Sequence, residues 1–171
     1  IEIEHVNVEA LIQLEKEGKT IYPKPAVLQI IQDKGKQKSF YATNDLPTAP
    51  FTLLSNLQEV LAGTQNGTIT YPFVQKSCTA GYDGKGVAVI RNANDLPKLL
   101  EGACVIEQLI DFEKELAVIV ARDVDGKTTC FPAVEMEFHP VANLVEFLLA
   151  PAIISEQAAA KAQKIAEDCI T

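Results

Sequence analysis

The spacing of apolar and polar positions changes along the chain, and each change marks a different predicted element. Apolar positions three and four residues apart predict short helices over 8–17 and 25–31, the second with a proline in its first turn. Asp33 is suited to cap a third helix that continues to Asn44. A proline-braced extended segment over 46–51 then leads to shorter apolar runs, which are typical of strands.

The middle of the chain combines strand and helix patterns. Apolar runs predict strands at Phe73–Ser77, Val87–Ile90 and 104–110, and helical spacing predicts helices over 55–62 and 94–101. This alternation predicts a compact α/β lobe.

The last part of the chain is richer in strand patterns. Apolar runs over 116–122 and 128–134 flank the sequence Asp123-Val124-Asp125-Gly126, which is typical of a hairpin turn. A third strand run over 144–149 and an alanine-rich helix that starts at Ser155 follow. We interpret this part as the opening half of an antiparallel sheet whose remaining strands are missing.

Composition and charge narrow the possible functions. The formal net charge of −8 over 171 residues argues against nucleic acid as a partner, because nucleic-acid binding needs a basic face. No apolar run approaches the roughly 20 residues that span a bilayer, so no membrane partner is expected. The four cysteines lie far apart without a C-x-x-C pair, which is typical of reduced thiols in a cytoplasmic protein. With only His5 and His139 present, a histidine-based metal site is not expected.

A glycine-rich loop carries the clearest chemical signal. The sequence Gly81-Tyr82-Asp83-Gly84-Lys85-Gly86 lies between a strand run that includes Lys76 and the run that resumes at Val87. Glycines let backbone N–H groups approach phosphate oxygens closely, and Lys76 and Lys85 add positive charge. The loop therefore suits a polyphosphate, although an ordinary hairpin connection has the same pattern. Neither a Walker A loop nor a Rossmann fingerprint occurs here.

Four motifs occur in a specific order along nearly the whole chain. They are Gln32-Asp33-Lys34 with Lys38, Leu46-Pro47-Thr48-Ala49-Pro50, Lys76 with the glycine-rich loop, and Glu107-Gln108 with Phe112 and Glu115. In this order they resemble the 5-(carboxyamino)imidazole ribonucleotide synthase family of ATP-grasp enzymes. The resemblance implies a fold of class α+β that corresponds to the central portion of the ATP-grasp fold.

The resemblance also implies a reaction. ATP would phosphorylate bicarbonate to carboxyphosphate, which would carboxylate 5-aminoimidazole ribonucleotide in purine biosynthesis. Mg²⁺ is expected as a cofactor, with its acidic ligands beyond Thr171 and none assigned within this sequence. The isolated chain is therefore expected to be inactive, because this phosphoryl transfer needs Mg²⁺ to neutralise charge. The full-length protein is expected to be a homodimer.

Two alternatives remain open at this point. Another ATP-grasp carboxylase or ligase could share the lysines and the loop. A non-catalytic nucleotide-binding module would bind ATP without turning it over.

Individual roles follow from the resemblance alone. Lys34 and Lys76 would approach the ATP phosphates, and the loop would close over them. Tyr82, Asp83 and Lys85 would act as catalytic residues that also face bicarbonate and the ribonucleotide. Glu107 would begin the segment that binds adenine, and Glu115 would bind the ribose hydroxyls. The complete expected ATP-binding set is Lys34, Lys76, Gly81, Tyr82, Asp83, Gly84, Lys85, Gly86, Val87, Glu107, Gln108, Leu109, Ile110 and Glu115.

One stretch departs from the family pattern. The family's Glu-Asn-x-His element corresponds here to Glu135-Met136-Glu137-Phe138-His139, in which the histidine comes one residue late. We therefore interpret His139 as a residue at a strand end near a turn. Glu135 and Glu137 share one face of a strand and are expected to be structural or exposed.

The resemblance divides the chain into three predicted segments. Residues 1–45 would end an N-terminal domain and supply linker helices, and residues 46–110 would form the lid lobe with the glycine-rich loop. Residues 111–171 would begin an incomplete antiparallel sheet. Because the sequence starts at Ile1 as if inside a strand, we expect a piece of a longer protein.

Overall fold

A computed structural model describes residues 1, 3, 5–79, 81, 86–139 and 144–171. The chain divides into two compact units. The first comprises residues 1–43 and 48–109, and the second comprises residues 44–47 and 110–171.

The first unit opens with helices whose ends are set by local caps. Helix α1 spans Val8–Lys16, α2 spans Pro25–Ile31 and α3 spans Lys34–Thr43, which confirms the helices predicted for this region. The Asp33 carboxylate accepts hydrogen bonds from two backbone N–H groups of the first turn of α3, at 2.8 and 3.1 Å. The predicted cap is thus in place, and it satisfies backbone donors that have no partner within the helix.

An antiparallel sheet of four strands follows these helices in the first unit. Strands β1 (Phe51–Leu54), β2 (Phe73–Ser77), β3 (Val87–Ile90) and β4 (Cys104–Gln108) lie in the order β1-β4-β2-β3. The predictions for β2 and β3 are confirmed residue for residue, and β4 ends two residues earlier than predicted. Strand β1 was missed, because the prolines before it indicated only an extended segment.

Two helical predictions in this unit need correction. Helix α4 spans Leu57–Asn66 rather than 55–62, because Asn56 caps its start and Gly67, with φ of +80°, ends it. The helix predicted over 94–101 is a short 3₁₀ turn, Ala93–Lys98. Pro97 lies inside that turn and has no N–H to donate, which prevents a longer helix.

The two faces of the sheet differ in character. One face packs Phe73, Ile90, Cys104 and Ile106 against Val60 of α4 to form the core. Burial of each large apolar side chain contributes about 1.5 to 3 kcal/mol, so this face holds the unit together. The alternate residues of each strand point to the opposite face, which carries polar residues of the predicted ATP site.

The second unit contains short strands and one long helix. Strands β5 (Glu115–Ala117), β8 (Val134–Phe138) and β9 (Val145–Leu149) form one sheet, and β6 (Val120–Arg122) pairs with β7 (Thr128–Cys130) as a hairpin. The predicted turn between β6 and β7 is confirmed by the N–H of Gly126, which donates to the Asp123 carbonyl at 3.1 Å. Helix α5 spans Glu156–Ile170, one residue later than the predicted start, because Ser155 is its N-terminal cap.

The strand predictions for this unit were wrong in one respect. Each of the runs 116–122 and 128–134 divides between the two sheets instead of forming one strand. A continuous apolar run does not show where a chain leaves one sheet for another. The division of each run between two sheets could therefore not be predicted from the sequence. In the described part of the chain, no helix is long and apolar enough to cross a membrane.

Candidate functional site

A lysine and a glutamate meet on the polar face of the first unit's sheet. Glu107 of β4 lies directly opposite Val74 of β2, so Lys76 is its diagonal neighbour on the same face. The Lys76 ammonium nitrogen lies 2.8 Å from a carboxylate oxygen of Glu107. The register of two adjacent strands therefore brings together two residues of the predicted ATP site.

A second lysine reaches the same carboxylate from α3. The Nζ atom of Lys38 lies 3.0 Å from the other Glu107 oxygen, donates to the Thr48 hydroxyl at 2.5 Å and lies 5.6 Å from the centre of the Phe51 ring. Phe51 lies directly opposite Glu107 in β1, so its ring is on the same face. We refer to Lys38, Glu107 and Lys76 as the charge cluster.

The charge cluster keeps Glu107 ionised. Only 8% of the Glu107 side chain is exposed, and burial alone would raise its pKa. The hydrogen bonds and positive charges of Lys76 and Lys38 outweigh burial and hold the pKa of Glu107 below its ordinary value. The two ammonium groups and one carboxylate then leave one net positive charge, which suits a phosphate.

The described ends of the glycine-rich loop lie directly beside this cluster. Val87 at the start of β3 pairs with Lys76, and the Ser77 N–H donates to the Gly86 carbonyl at 2.8 Å. Gly86 has φ of +76°, a conformation that favours glycine. The predicted residues Tyr82, Asp83, Gly84 and Lys85 lie outside the described residues.

Lys34 lies at the start of α3, one turn before Lys38. Its backbone N–H donates to the Cys78 carbonyl at 2.8 Å, which ties α3 to the chain just after β2. Lys34 also lines an open cavity of about 690 Å³ together with His5, Asp33 and Gly81. The structure thus places Lys34 beside the described part of the loop, while Lys38 makes the contact with Glu107.

The thiol of Cys78 is shielded at this junction. Burial, and secondarily the negative charge of Asp33, raise the pKa of Cys78 above its ordinary value. Cys78 is therefore a neutral thiol near neutral pH.

The segment predicted to bind adenine is shared between the two units. Gln108 and Leu109 line a cleft of about 450 Å³ with Pro50 and Tyr71 in the first unit. The N–H of Gln108 already donates to the Pro50 carbonyl at 3.1 Å.

The last two residues of the predicted set belong to the second unit. Ile110 is 46% exposed, and Glu115 is half-buried at the start of β5, directly opposite Met136.

Two residues outside the predicted site behave as expected. Glu135 pairs with the Lys114 ammonium at 2.8 Å, so its role is structural. The His139 N–H donates to the Leu144 carbonyl at 2.8 Å, which places it at the end of β8 beside β9.

Sequence reasoning missed Lys38 as a site residue. The signal was present, because Lys38 follows Lys34 by four residues and therefore lies on the same helix face. A lysine pair at this spacing is usually solvated, and no local feature showed that a carboxylate more than sixty residues later would face it.

Comparison with known proteins shows the family to which this chain belongs. The ATP-grasp domain model matches residues 39–171, which is most of the chain. The chain belongs to the ATP-grasp family. The family and the α+β ATP-grasp fold predicted from the motifs are thereby confirmed.

Three individual relatives are similar to this chain over nearly its whole length. The chain is 36% identical to phosphoribosylaminoimidazole carboxylase of Candida glabrata over 99% of its length, which is 30% of that protein. It is 32% identical to N5-carboxyaminoimidazole ribonucleotide synthase of Synechocystis over 95% of its length, which is 40% of that protein. The solved structure of carboxyaminoimidazole ribonucleotide synthase from Aspergillus clavatus complexed with ATP matches with a TM-score of 0.89 and 29% identity. That match covers 99% of this chain and 44% of the solved chain, so the chain spans less than half the length of each of these relatives.

Proposed function

We propose that this chain forms the ATP-binding part of an enzyme that carboxylates 5-aminoimidazole ribonucleotide with bicarbonate. The observation that carries the proposal is the Lys76–Glu107 pair, with its 2.8 Å contact, at the base of the glycine-rich loop. The relatives named N5-carboxyaminoimidazole ribonucleotide synthase and the similar structure complexed with ATP support it.

In the proposed reaction, a bicarbonate oxygen attacks the γ-phosphorus of ATP and ADP leaves. The exocyclic amine of the ribonucleotide then attacks the carboxyl carbon of carboxyphosphate, or the CO₂ that carboxyphosphate releases, and the carbon–oxygen bond to phosphate breaks. The amine loses one proton to the departing phosphate, which gives the carboxyamino product. Carboxyphosphate is labile in water, so the site must close while it exists.

The residues of the predicted site have distinct tasks in this proposal. Lys76 donates to the ATP phosphates, and Glu107 fixes the direction of its ammonium group while accepting from the adenine amino group. Backbone N–H groups of the glycine-rich loop, with Tyr82, Asp83 and Lys85, complete the enclosure of the phosphates and bicarbonate. Lys34 adds positive charge from the start of α3, and Glu115 accepts from the ribose hydroxyls.

Mg²⁺ belongs to the proposal as the companion of ATP, because it neutralises charge on the phosphates during transfer. Within the described ranges, no three His, Cys, Asp or Glu side chains gather into a group that could hold a metal ion. No described residue is therefore assigned to Mg²⁺. We further propose a cytoplasmic location and a homodimeric whole protein.

Calorimetric titration of ATP tests the nucleotide site. Lys76→Ala should weaken ATP binding about tenfold or more, which corresponds to about 1.4 kcal/mol. The matched control is Lys98→Ala, because Lys98 also pairs with a carboxylate, that of Asp95, but is 63% exposed on a 3₁₀ turn. An equal loss of affinity in both variants would contradict the proposed phosphate position.

Competition between substrates separates this reaction from that of another ATP-grasp ligase. In the presence of ADP, binding of 5-aminoimidazole ribonucleotide should exceed that of glycinamide ribonucleotide, and only the former should respond to bicarbonate. The reverse preference would favour a formyl-transferring ligase. Binding of ATP but of neither ribonucleotide would favour a nucleotide-binding module.

A further inference from the structure

Lys38 and Lys76 share one carboxylate but differ in what else they contact. Lys38 contacts Glu107 and the Thr48 hydroxyl, lies over the Phe51 ring, and is only 13% exposed. Lys76 contacts the other Glu107 oxygen and keeps 33% of its side chain exposed. An ammonium group has three N–H donors, so Lys76 can serve both Glu107 and a ligand, whereas Lys38 is enclosed by protein groups.

The position of Lys38 is set by the packing of α3 on the sheet. Gly35 faces the sheet there, and a Cβ atom at this residue would lie 3.2 Å from the Cys78 sulfur. The hydrogen bond from the backbone N–H of Lys34 to the Cys78 carbonyl also holds the start of the helix beside Cys78. One helical turn later, Lys38 reaches Glu107.

Charge balance explains why Glu107 needs a second lysine. Without the Lys38 charge, the Glu107 carboxylate and the Lys76 ammonium would cancel, and the pair would carry no net charge. With Lys38 present, the cluster keeps one net positive charge on its exposed side. A phosphate then meets an ammonium group whose charge is not already neutralised.

We propose that Lys38 is a positioning residue that neutralises Glu107 and thereby leaves the Lys76 ammonium available to the ATP phosphates. Lys38 itself does not touch the nucleotide. This inference rests on the proposed function, because it requires that ATP phosphates bind beside Lys76.

The first test compares a ligand with phosphates and one without. Lys38→Met should weaken ATP binding about tenfold, while adenosine binding measured by NMR titration should change less than about twofold. Lys38→Arg keeps the positive charge and should retain ATP affinity within about threefold of the unchanged chain. A merely structural role would instead lower the affinity for ATP and adenosine together.

A second variant tests the charge argument. It also shows whether the effect of Lys38→Met comes from the lost charge or from misfolding. Replacing Glu107 by Gln in the Lys38→Met chain restores one net positive charge, so the ratio of ATP to adenosine affinity should return towards that of the unchanged chain. Glu107→Gln removes the same adenine contact from ATP and from adenosine, so the ratio of the two affinities cancels that contribution. A ratio that stays low in the double variant overturns the proposal.

The outcomes separate this inference from the proposed function. In one outcome, the unchanged chain binds ATP and Lys76→Ala weakens that binding, but Lys38→Met has the same ratio of ATP affinity to adenosine affinity as the unchanged chain. The proposed role of Lys38 is then wrong, and the ATP site stands. If the unchanged chain does not bind ATP, or Lys76→Ala has no effect, the proposed function fails and the role of Lys38 fails with it.

Discussion

Gly86 approaches Gly81 so closely at the base of the glycine-rich loop that a Cβ atom on Gly86 would lie 2.9 Å from the Gly81 Cα. The Gly86 backbone also has φ of +76°, and its carbonyl accepts from the Ser77 N–H at 2.8 Å. Gly86 therefore meets two demands that a side chain would violate, and the described ends of the loop depend on both.

Gly86→Ala should consequently reduce both stability and ATP affinity. The positive φ alone costs about 1 to 2 kcal/mol for a residue with a Cβ, and the contact with the Gly81 backbone adds to this cost. Chemical denaturation measures the first effect, and calorimetric titration of ATP measures the second. The matched control is Gly67→Ala, because Gly67 has φ of +80° but no atom within 4 Å of an added Cβ. If Gly67→Ala lowers ATP affinity as much as Gly86→Ala, the loop base has no special role.

Gln75 is a fully buried polar residue on the core face of the sheet, and we predict that it stabilises the first unit. Its side-chain amide donates to the Leu100 carbonyl at 2.9 Å and accepts from the Leu100 N–H at 2.7 Å. Gln75→Leu would leave both backbone groups without these partners and should lower the free energy of unfolding by about 2 kcal/mol. Urea denaturation measures the change, with Gln58→Leu on the exposed side of α4 as a control expected to stay within about 0.5 kcal/mol.

Glu107→Gln should make stability less dependent on pH in the acid range. Because the pKa of Glu107 is lower in the folded chain than its ordinary value of 4.5, its ionised form stabilises the fold above that value. This contribution is lost as the pH falls through the lower folded pKa. The unchanged chain should therefore exceed Glu107→Gln in stability by about 3 kcal/mol near neutral pH, and the difference should shrink in acid.

Denaturation at several pH values from neutral to acid measures this difference directly. Glu101→Gln, at an exposed position in the same unit, serves as the control. A gap between Glu107→Gln and the unchanged chain that widens in acid would contradict the assigned ion pairs.

Asp33→Asn should make the Cys78 thiol more reactive. Asn keeps a side-chain oxygen that can cap α3, but it removes the negative charge that contributes to raising the pKa of Cys78. A lower pKa gives more thiolate at neutral pH, so alkylation by iodoacetamide should be faster. Mass spectrometry of the Cys78 peptide in the native protein measures the rate, and Asp95→Asn in the same unit is the control. An unchanged rate in Asp33→Asn would show that burial alone suppresses the thiol.

Local chemistry explains what was correctly predicted. The start of α3 depends on the Asp33 side chain two residues before Gly35, and the ends of β2 and β3 depend on apolar runs interrupted by glycine. The order of the motifs around Lys76 and Glu107 was sufficient to indicate the ATP-grasp family, which the domain match confirms. The roles of the individual site residues stay predictions.

By itself, therefore, the sequence determined the first three helices, the strands that flank the loop and the family. These features depend on residues close together in the chain. Only the tertiary structure decided that Lys38 and Lys76 share Glu107, since Lys76 and Glu107 are 31 positions apart and meet through strand register. It likewise decided that the runs 116–122 and 128–134 divide between two sheets. The physical reason is that pairing between strands depends on how distant segments fit together, which local spacing does not encode.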